Sequence, residues 1–359
     1  MKRRNLAFSF LLLASFATSA SLLVFSYRAT CQTRERTVNA NRNSEPAQND
    51  AGKTQEPQQP EVVKVDVDLV KVDALVLQKD TARIIGGLKK EDFLIYEDGT
   101  RQEITHFSQD SLPLSVILMI DRGGCLDPYG DEVHRAAREA IDRLKPSDEV
   151  AVMSYHNTTT MVQRFTRNRM HIEEALNRIP PHDEEGEHCL NKAMADAASY
   201  MIGAANPVGR RVVIVITGVT RAFDCPDGPS GKSAALAIYE SGTVVCGIIP
   251  KNPVQGLENG VMMWATRMGK LGGAPYTDLQ TLANETGGEI LGDKPGKLET
   301  TFQTLIDHLR SRYNLAFVST NKKRDGSTRK LKLDVTAANQ PPKTKVVVKA
   351  RRSYVAPKS

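Results

Sequence analysis

The 359-residue chain has a single Trp and only five Cys. No two of those cysteines stand at Cys-x-x-Cys spacing, so the usual sequence signature of structural zinc or of thioredoxin-type redox chemistry is missing. There is no His-Glu-x-x-His, no Gly-x-Ser-x-Gly and no carboxylate pair whose spacing stands out, which leaves the metalloprotease and α/β-hydrolase chemistries without their motifs. Cysteine is too sparse for a disulfide miniprotein. A hydrophobic content of 40% is too high for a wholly disordered chain.

Positive charge is present in excess, with 48 Lys+Arg against 42 Asp+Glu. A net of +6 suggests a nucleic-acid binder until the charge is located along the chain. Residues 1–60 carry a net of +4 and residues 321–359 a net of +10, leaving 61–320 at −8. An acidic body with basic ends does not make a basic face, so no nucleic-acid partner is expected.

Met1-Lys-Arg-Arg precedes an apolar run from Leu6 to Tyr27, about long enough to span a bilayer. Residues 1–31 are therefore read as a membrane anchor or as a signal peptide cleaved after Ala20; a lipid-modified Cys31 is a third option, for which Arg-Ala-Thr is a poor preceding sequence. Each reading exports the body of the chain, because the basic cluster stays inside. Residues 32–61 are rich in Gln, Asn, Pro and charge and read as a disordered linker with a span of roughly 30 Å.

Period-two alternation begins at Val63, and Ala74–Leu77, Phe93–Tyr96 and Glu103–Phe107 are short apolar runs beyond it, so residues 62–112 read as a small antiparallel β segment. From Leu114 the texture changes. Buried strands (Leu114–Ile120, Val150–Tyr155, Val212–Ile216, Val244–Ile249) alternate with amphipathic helices (Glu132–Leu144, His171–Ile179, Leu190–Ile202, Ser233–Tyr239, Asp278–Glu285, Leu298–Arg310), with Met161–Phe165 as a short edge strand. That alternation predicts an α/β fold over 113–312 with a mostly parallel sheet covered by helices on both faces. Residues 313–357 return to β with Asn314–Ser319, Arg329–Thr336 and Lys343–Ala350. The opening segment is acidic and the closing one basic, so the two are expected to pair into one accessory sheet or sandwich. A lipid- or polyanion-binding role for the basic tail is the alternative.

The runs Leu88-Lys-Lys-Glu-Asp-Phe-Leu-Ile-Tyr-Glu-Asp-Gly, Leu112-Pro-Leu-Ser-Val-Ile-Leu-Met-Ile-Asp121, Asp148-Glu-Val-Ala-Val, Leu282-Ala-Asn-Glu-Thr-Gly-Gly and Leu309-Arg-Ser-Arg-Tyr-Asn-Leu occur in the order seen in the von Willebrand factor A-like proteins common in acidobacteria, which this sequence resembles over roughly 62–357. The resemblance implies a Rossmann-like α/β domain with flanking β segments. It implies no activity.

Such domains typically hold a divalent cation at the carboxyl ends of the strands, using Asp-x-Ser-x-Ser, a Thr from a second loop and an Asp from a third; hard oxygens suit Mg²⁺. The first loop here reads Asp121-Arg122-Gly123-Gly124-Cys125, so both serines are replaced. The second-loop Thr position falls near His188 or Cys189, and the third loop reads Thr217-Gly218-Val219. Asp121 and Thr217 are thus remnants of the family site, and the expectation is no cofactor, with Mg²⁺ the lesser reading. The same fold would bring Cys125, Cys189 and Cys225 to one edge, where export would favour a disulfide among them. A zinc site there is the alternative. Cys246, inside a predicted strand, reads as a core residue.

Other features are weaker. Gly228-Pro-Ser-Gly-Lys-Ser233 looks like a phosphate loop, but Pro226 stands where its first Gly is required. The stretch from His182 to His188 reads as an exposed acidic loop. His134, His171 and His308 read as surface or capping residues. Trp264, in a Met-rich stretch among glycines, is either a flap over the core or a partner contact. Together these readings give an exported, non-catalytic protein–protein interaction module at the cell envelope, with Arg122, His188 and Trp264 as candidate contacts. The alternatives are a metal-dependent adhesion module with unconventional ligands and an envelope enzyme.

Overall fold

The computed structural model describes residues 69–124, 126, 129–180, 187–206, 209–251, 275–336 and 345–358. The N-terminal segment 1–31, the linker 32–61, Cys125, the acidic loop at 182–186 and the Trp264 stretch lie outside them. No helix among the described residues is long and apolar enough to cross a membrane.

The first strand, β1 (Leu69–Gln78), joins two runs that the sequence reads separately. Its first half pairs antiparallel with one late strand and its second half with another, so burial alternates over 69–72 and becomes continuous over 74–77. Next come β2 (Phe93–Glu97), β3 (Thr100–Gln102) and β4 (Ile104–Ser108). Asp98 and Gly99 both have positive φ, 46° and 85°, as a two-residue hairpin turn between β2 and β3 requires.

The α/β part begins with β5 (Leu114–Asp121), buried at every position, and continues through α1 (Gly130–Asp142), β6 (Glu149–Tyr155), the edge strand β7 (Thr159–Thr166), α2 (Arg169–Asn177) and α3 (Leu190–Met201). Then come β8 (Arg210–Ile216), β9 (Arg221–Phe223), α4 (Gly231–Glu240), β10 (Val244–Pro250), β11 (Tyr276–Asp278), α5 (Leu279–Thr286), β12 (Ile290–Asp293) and α6 (Leu298–Arg310). The sheet order is β12-β10-β8-β5-β6-β7, parallel except for β7. Alternate residues of β5 point to opposite faces: Val116, Leu118 and Ile120 pack with α1, α2 and α6, while Ile117 and Met119 pack with α3, α4 and α5. A sheet covered on both faces needs strands apolar at every position, and β5 meets that need.

The closing strands β13 (Tyr313–Val318), β14 (Thr328–Val335), β15 (Val346–Lys349) and β16 (Ser353–Val355) interleave with the opening ones. Two antiparallel four-stranded sheets result, β15-β1-β13-β4 and β16-β14-β2-β3. Between them lies a separate core in which Phe93, Phe107 and Tyr313 meet with ring centroids 5.0–5.9 Å apart. The expected α/β domain with an accessory sandwich of flanking strands is the fold adopted. Part of the tail's positive charge is consumed inside it, Arg329 being buried against Glu97 at 3.1 Å, while Lys332 pairs at the surface with Asp334 at 2.6 Å.

One histidine departs from its expected place. His308 is not a surface or capping residue but is buried, with Nδ1 2.8 Å from the Glu289 carboxylate, because this face of α6 packs over the start of β12. His171 is exposed, as expected.

Candidate functional site

The register of the parallel sheet sets the site. Ile120 of β5 lies opposite Ile216 of β8, so the residues just beyond them, Asp121 and Thr217, emerge side by side at the carboxyl edge. Here the chain order reverses, since β5 is followed by β6 on one side and flanked by the later β8 on the other. That is the position at which open α/β sheets place their ligands.

Asp121 is buried, with no exposed side-chain surface, and its carboxylate is engaged by the loops around it. Gly123 N–H donates to Oδ1 at 2.9 Å, and Thr217 Oγ1 donates to Oδ2 at 2.5 Å. His188 Nδ1 lies 3.0 and 2.9 Å from the two oxygens. Burial alone would raise the carboxyl's pKa, but the His188 bond and charge, Thr217 and the Gly123 amide together hold it below its ordinary value. Burial would likewise lower that of His188, and Asp121 outweighs it and raises the imidazole. The contact therefore favours a carboxylate paired with an imidazolium, joining loops 67 residues apart.

Glycine at 123 is what admits the ring. A Cβ built on Gly123 would stand 2.5 Å from His188 Cε1 and Nδ1, well inside contact distance. The serine usual at this position in the resembled family and the imidazole of His188 therefore exclude one another. Positions 123 and 188 are therefore sterically coupled: the imidazole occupies the space a side chain at 123 would fill, and lies against the Asp121 carboxylate. Bonded on both oxygens and lacking serine hydroxyls beside it, Asp121 does not fit a hard dication that needs several open oxygen ligands.

The second loop is pinned covalently. Cys189 and Cys225 form a disulfide, with Cα atoms 5.4 Å apart, which resolves the three-cysteine expectation in favour of this pair. Asn191, fully buried on the first turn of α3, clamps the same junction: its Nδ2 donates to the carbonyls of Cys225 (3.1 Å) and Pro229 (2.8 Å), and its Oδ1 accepts from Cys225 N–H at 3.1 Å. Cys189 N–H donates to His156 O, tying the loop to the end of β6. His188, immediately before Cys189, is thereby placed by the disulfide and the clamp. Asn191 is not among the residues the sequence singles out; a buried Asn two residues after a cysteine is a signal visible only once the loops are assembled. Glu187 Oε2 lies 3.4 Å from Cys225 Sγ, so the soft zinc alternative has neighbouring donors, but both sulfurs are committed to the disulfide. Cys246 is a free, fully buried thiol that burial pushes up to about 11, an inert core residue.

Arg122 lies at the same edge, its Nε donating to Pro180 O at 3.2 Å. The phosphate-loop lookalike is filled from within. Ser230 caps α4 by accepting from Ser233 N–H, while Asp224 accepts from Gly231 N–H at 2.6 Å and from Thr277 Oγ1 at 2.6 Å, so a carboxylate of the chain covers the amides a phosphate would use.

Residues 116–220 match the model of the von Willebrand factor type A domain family. No curated protein matches the chain. Among solved structures, the chain is similar to an aerotolerance-related membrane protein from Bacteroides fragilis (15% identity, TM-score 0.39, covering 55% of this chain and 98% of that one). It is also similar to the conserved hypothetical protein BatB from Bacteroides thetaiotaomicron (16%, 0.37, 55% and 100%) and to proximal thread matrix protein 1 from the mussel byssus (12%, 0.42, 60% and 51%).

Proposed function

We propose, from the premise that this chain carries a von Willebrand factor A-type domain extended by flanking β strands, that it is an exported, non-catalytic protein–protein interaction module of the cell envelope that works without the usual metal. The observation that carries this reading is the Asp121–His188 pair, in which an imidazolium takes the electrostatic role of a cation at the carboxyl edge of the sheet. Where a metal-bearing domain offers an open coordination position to a partner's carboxylate, this edge offers His188, whose side chain retains 24% of its exposure, and Arg122 beside it. An acidic side chain of the partner would meet positive charge there while His188 is protonated. The basic start of the sequence and its apolar run support export and attachment to the membrane.

Calorimetric titration of the full chain with Mg²⁺, Mn²⁺ and Zn²⁺ tests the metal-free part. The expected result is no saturable heat. Saturable binding abolished by Asp121→Ala would overturn it and favour a metal-dependent module with unconventional ligands. Proximity labelling in the native envelope, repeated with Arg122→Gln and His188→Gln, tests the interaction part: neighbours lost in both variants support the edge as the contact, and an unchanged neighbour set refutes it. For the enzyme alternative, the hydroxyl bonded to the pair is that of Thr217, which donates to Asp121 rather than to the His188 imidazole.

A further inference from the structure

At the opposite, amino edge of the parallel sheet, where β1, the start of β8, the α4–β10 turn and the β15–β16 turn converge, lies a cavity of about 250 Å³. Its lining is rich in cations: Lys71, Arg210, Arg211 and Arg351 against Asp73 and Glu285. The two carboxylates are already engaged. Asp73 Oδ2 accepts from Arg210 Nε at 2.8 Å, and Glu285 lies 3.8 Å from Arg352. Arg210 is further committed to Leu309 O and to Asn314 Oδ1, so it is a structural tie between the α/β part and the sandwich.

Three positive side chains face the cavity without a carboxylate bonded to them among the described residues. Arg211 donates to Ser241 O at 2.9 Å, and Arg351 to Ser353 O at 3.1 Å and Tyr239 O at 3.3 Å. These acceptors are neutral carbonyls. Lys71 is exposed at the mouth. Burial lowers the Arg351 guanidinium below its ordinary range, and the charges of Asp73 and Tyr354 oppose the shift. Two guanidinium groups and an ammonium among the residues lining a small concave space match an oxyanion with several acceptor oxygens.

We infer that this cavity is a binding site for a phosphoryl group, with Lys71, Arg211 and Arg351 as its ligands. Its size suits the terminal phosphate of a soluble monoester or of a lipid headgroup, and not the extended backbone of a polyanion. Arg351 belongs to the basic closing segment, so part of that segment's charge has a use beyond holding the sandwich together.

The test is thermal unfolding and calorimetry of the full chain with inorganic phosphate, against chloride at matched ionic strength. Saturable stabilisation by phosphate alone is expected, with affinity falling at least about tenfold in a Lys71→Gln/Arg211→Gln double variant. Arg351→Gln should act in the same direction, and the double variant keeps the test valid if Arg351→Gln fails to fold. Equal responses to phosphate and chloride, or an unchanged response in the folded double variant, would overturn the site. Flotation with phosphatidic acid vesicles against phosphatidylcholine vesicles distinguishes the sources: capture by phosphatidic acid that the double variant loses assigns the lipid headgroup. Phosphate binding without such capture assigns a soluble ester.

Discussion

Two buried carboxylates, Asp121 at the carboxyl edge of the parallel sheet and Glu97 in the sandwich, are held by cations of different kinds. Glu97 accepts from Ser319 Oγ at 2.6 Å, from Tyr354 Oη and from Arg329 at 3.1 Å. Arg329 donates in addition to Ser319, Tyr354 and the carbonyls of Asn321 and Lys323. Burial opposes ionisation of Glu97, and the hydrogen bonds from Ser319, Tyr354 and Arg329 outweigh it. Both sites thus bury an ionised acid. The sandwich uses a guanidinium that stays charged at any working pH, whereas the sheet edge uses an imidazolium that exists only below its own pKa. The first suits a fixed joint between the opening and closing segments, the second an edge whose charge responds to its surroundings.

The largest effect should come from breaking the fixed joint. Arg329→Met leaves Glu97, 2% exposed, without its cation, and loss of one partner of a buried pair costs about 3–5 kcal/mol. Urea denaturation should show a lower midpoint at unchanged slope; a cost within about 1 kcal/mol, the size of a surface pair, would mean the network carries little.

At the sheet edge, the comparable restraint is covalent. The Cys189–Cys225 disulfide closes a 36-residue separation, for which chain entropy predicts about 3–4 kcal/mol. The Cys189→Ser/Cys225→Ser variant should lose that much stability, and the wild-type protein should approach it when reduced. A smaller loss that spares the His188 environment in NMR would show that the Asn191 clamp alone positions the loop.

Gly123→Ser should cost about 1–3 kcal/mol by driving its Cβ into the His188 ring. Because both residues occupy one space, the cost should largely vanish when Gly123→Ser is made in a His188→Ala background. Additive costs in this double-mutant cycle would separate the two positions and defeat their steric coupling.

Much of this architecture is legible in the sequence, and the exceptions share a cause. Leu114–Asp121 and Leu298–Arg310 announce themselves because burial on two faces demands a continuous apolar run and burial of one helix face a 3.6-residue period. Three-residue strands such as β3, β9 and β16 are too short to display any period. That Gly123 and Cys125 stand where the resembled family carries serines is legible in the sequence, but not that the His188 ring lies against Gly123. That partner lies 65 positions from Gly123 and reaches it only through the disulfide-bound loop. His308 escapes for the same reason, its Glu289 partner being brought to it by packing rather than by spacing.

The smallest effect is also the sharpest test of the contrast, since it asks only that the two cations titrate differently. His188 has its pKa raised above the ordinary 6.5 by Asp121 against the opposing effect of burial. A raised folded-state pKa means stability that is fully present below about 6.5 and is lost as pH climbs through the raised value, at no more than about 1.4 kcal/mol per pH unit. Asp121 and Glu97, both lowered, contribute stability above their ordinary values and lose it only in acid, as pH falls through the depressed ones. Thermal unfolding from about pH 5.5 to 9 should therefore show a decline on the alkaline side that His188→Asn flattens and that Arg329→Met, though much less stable, retains. Parallel curves for wild type and His188→Asn would mean that the imidazole is neutral in the fold, and Asp121 would then have no imidazolium against it.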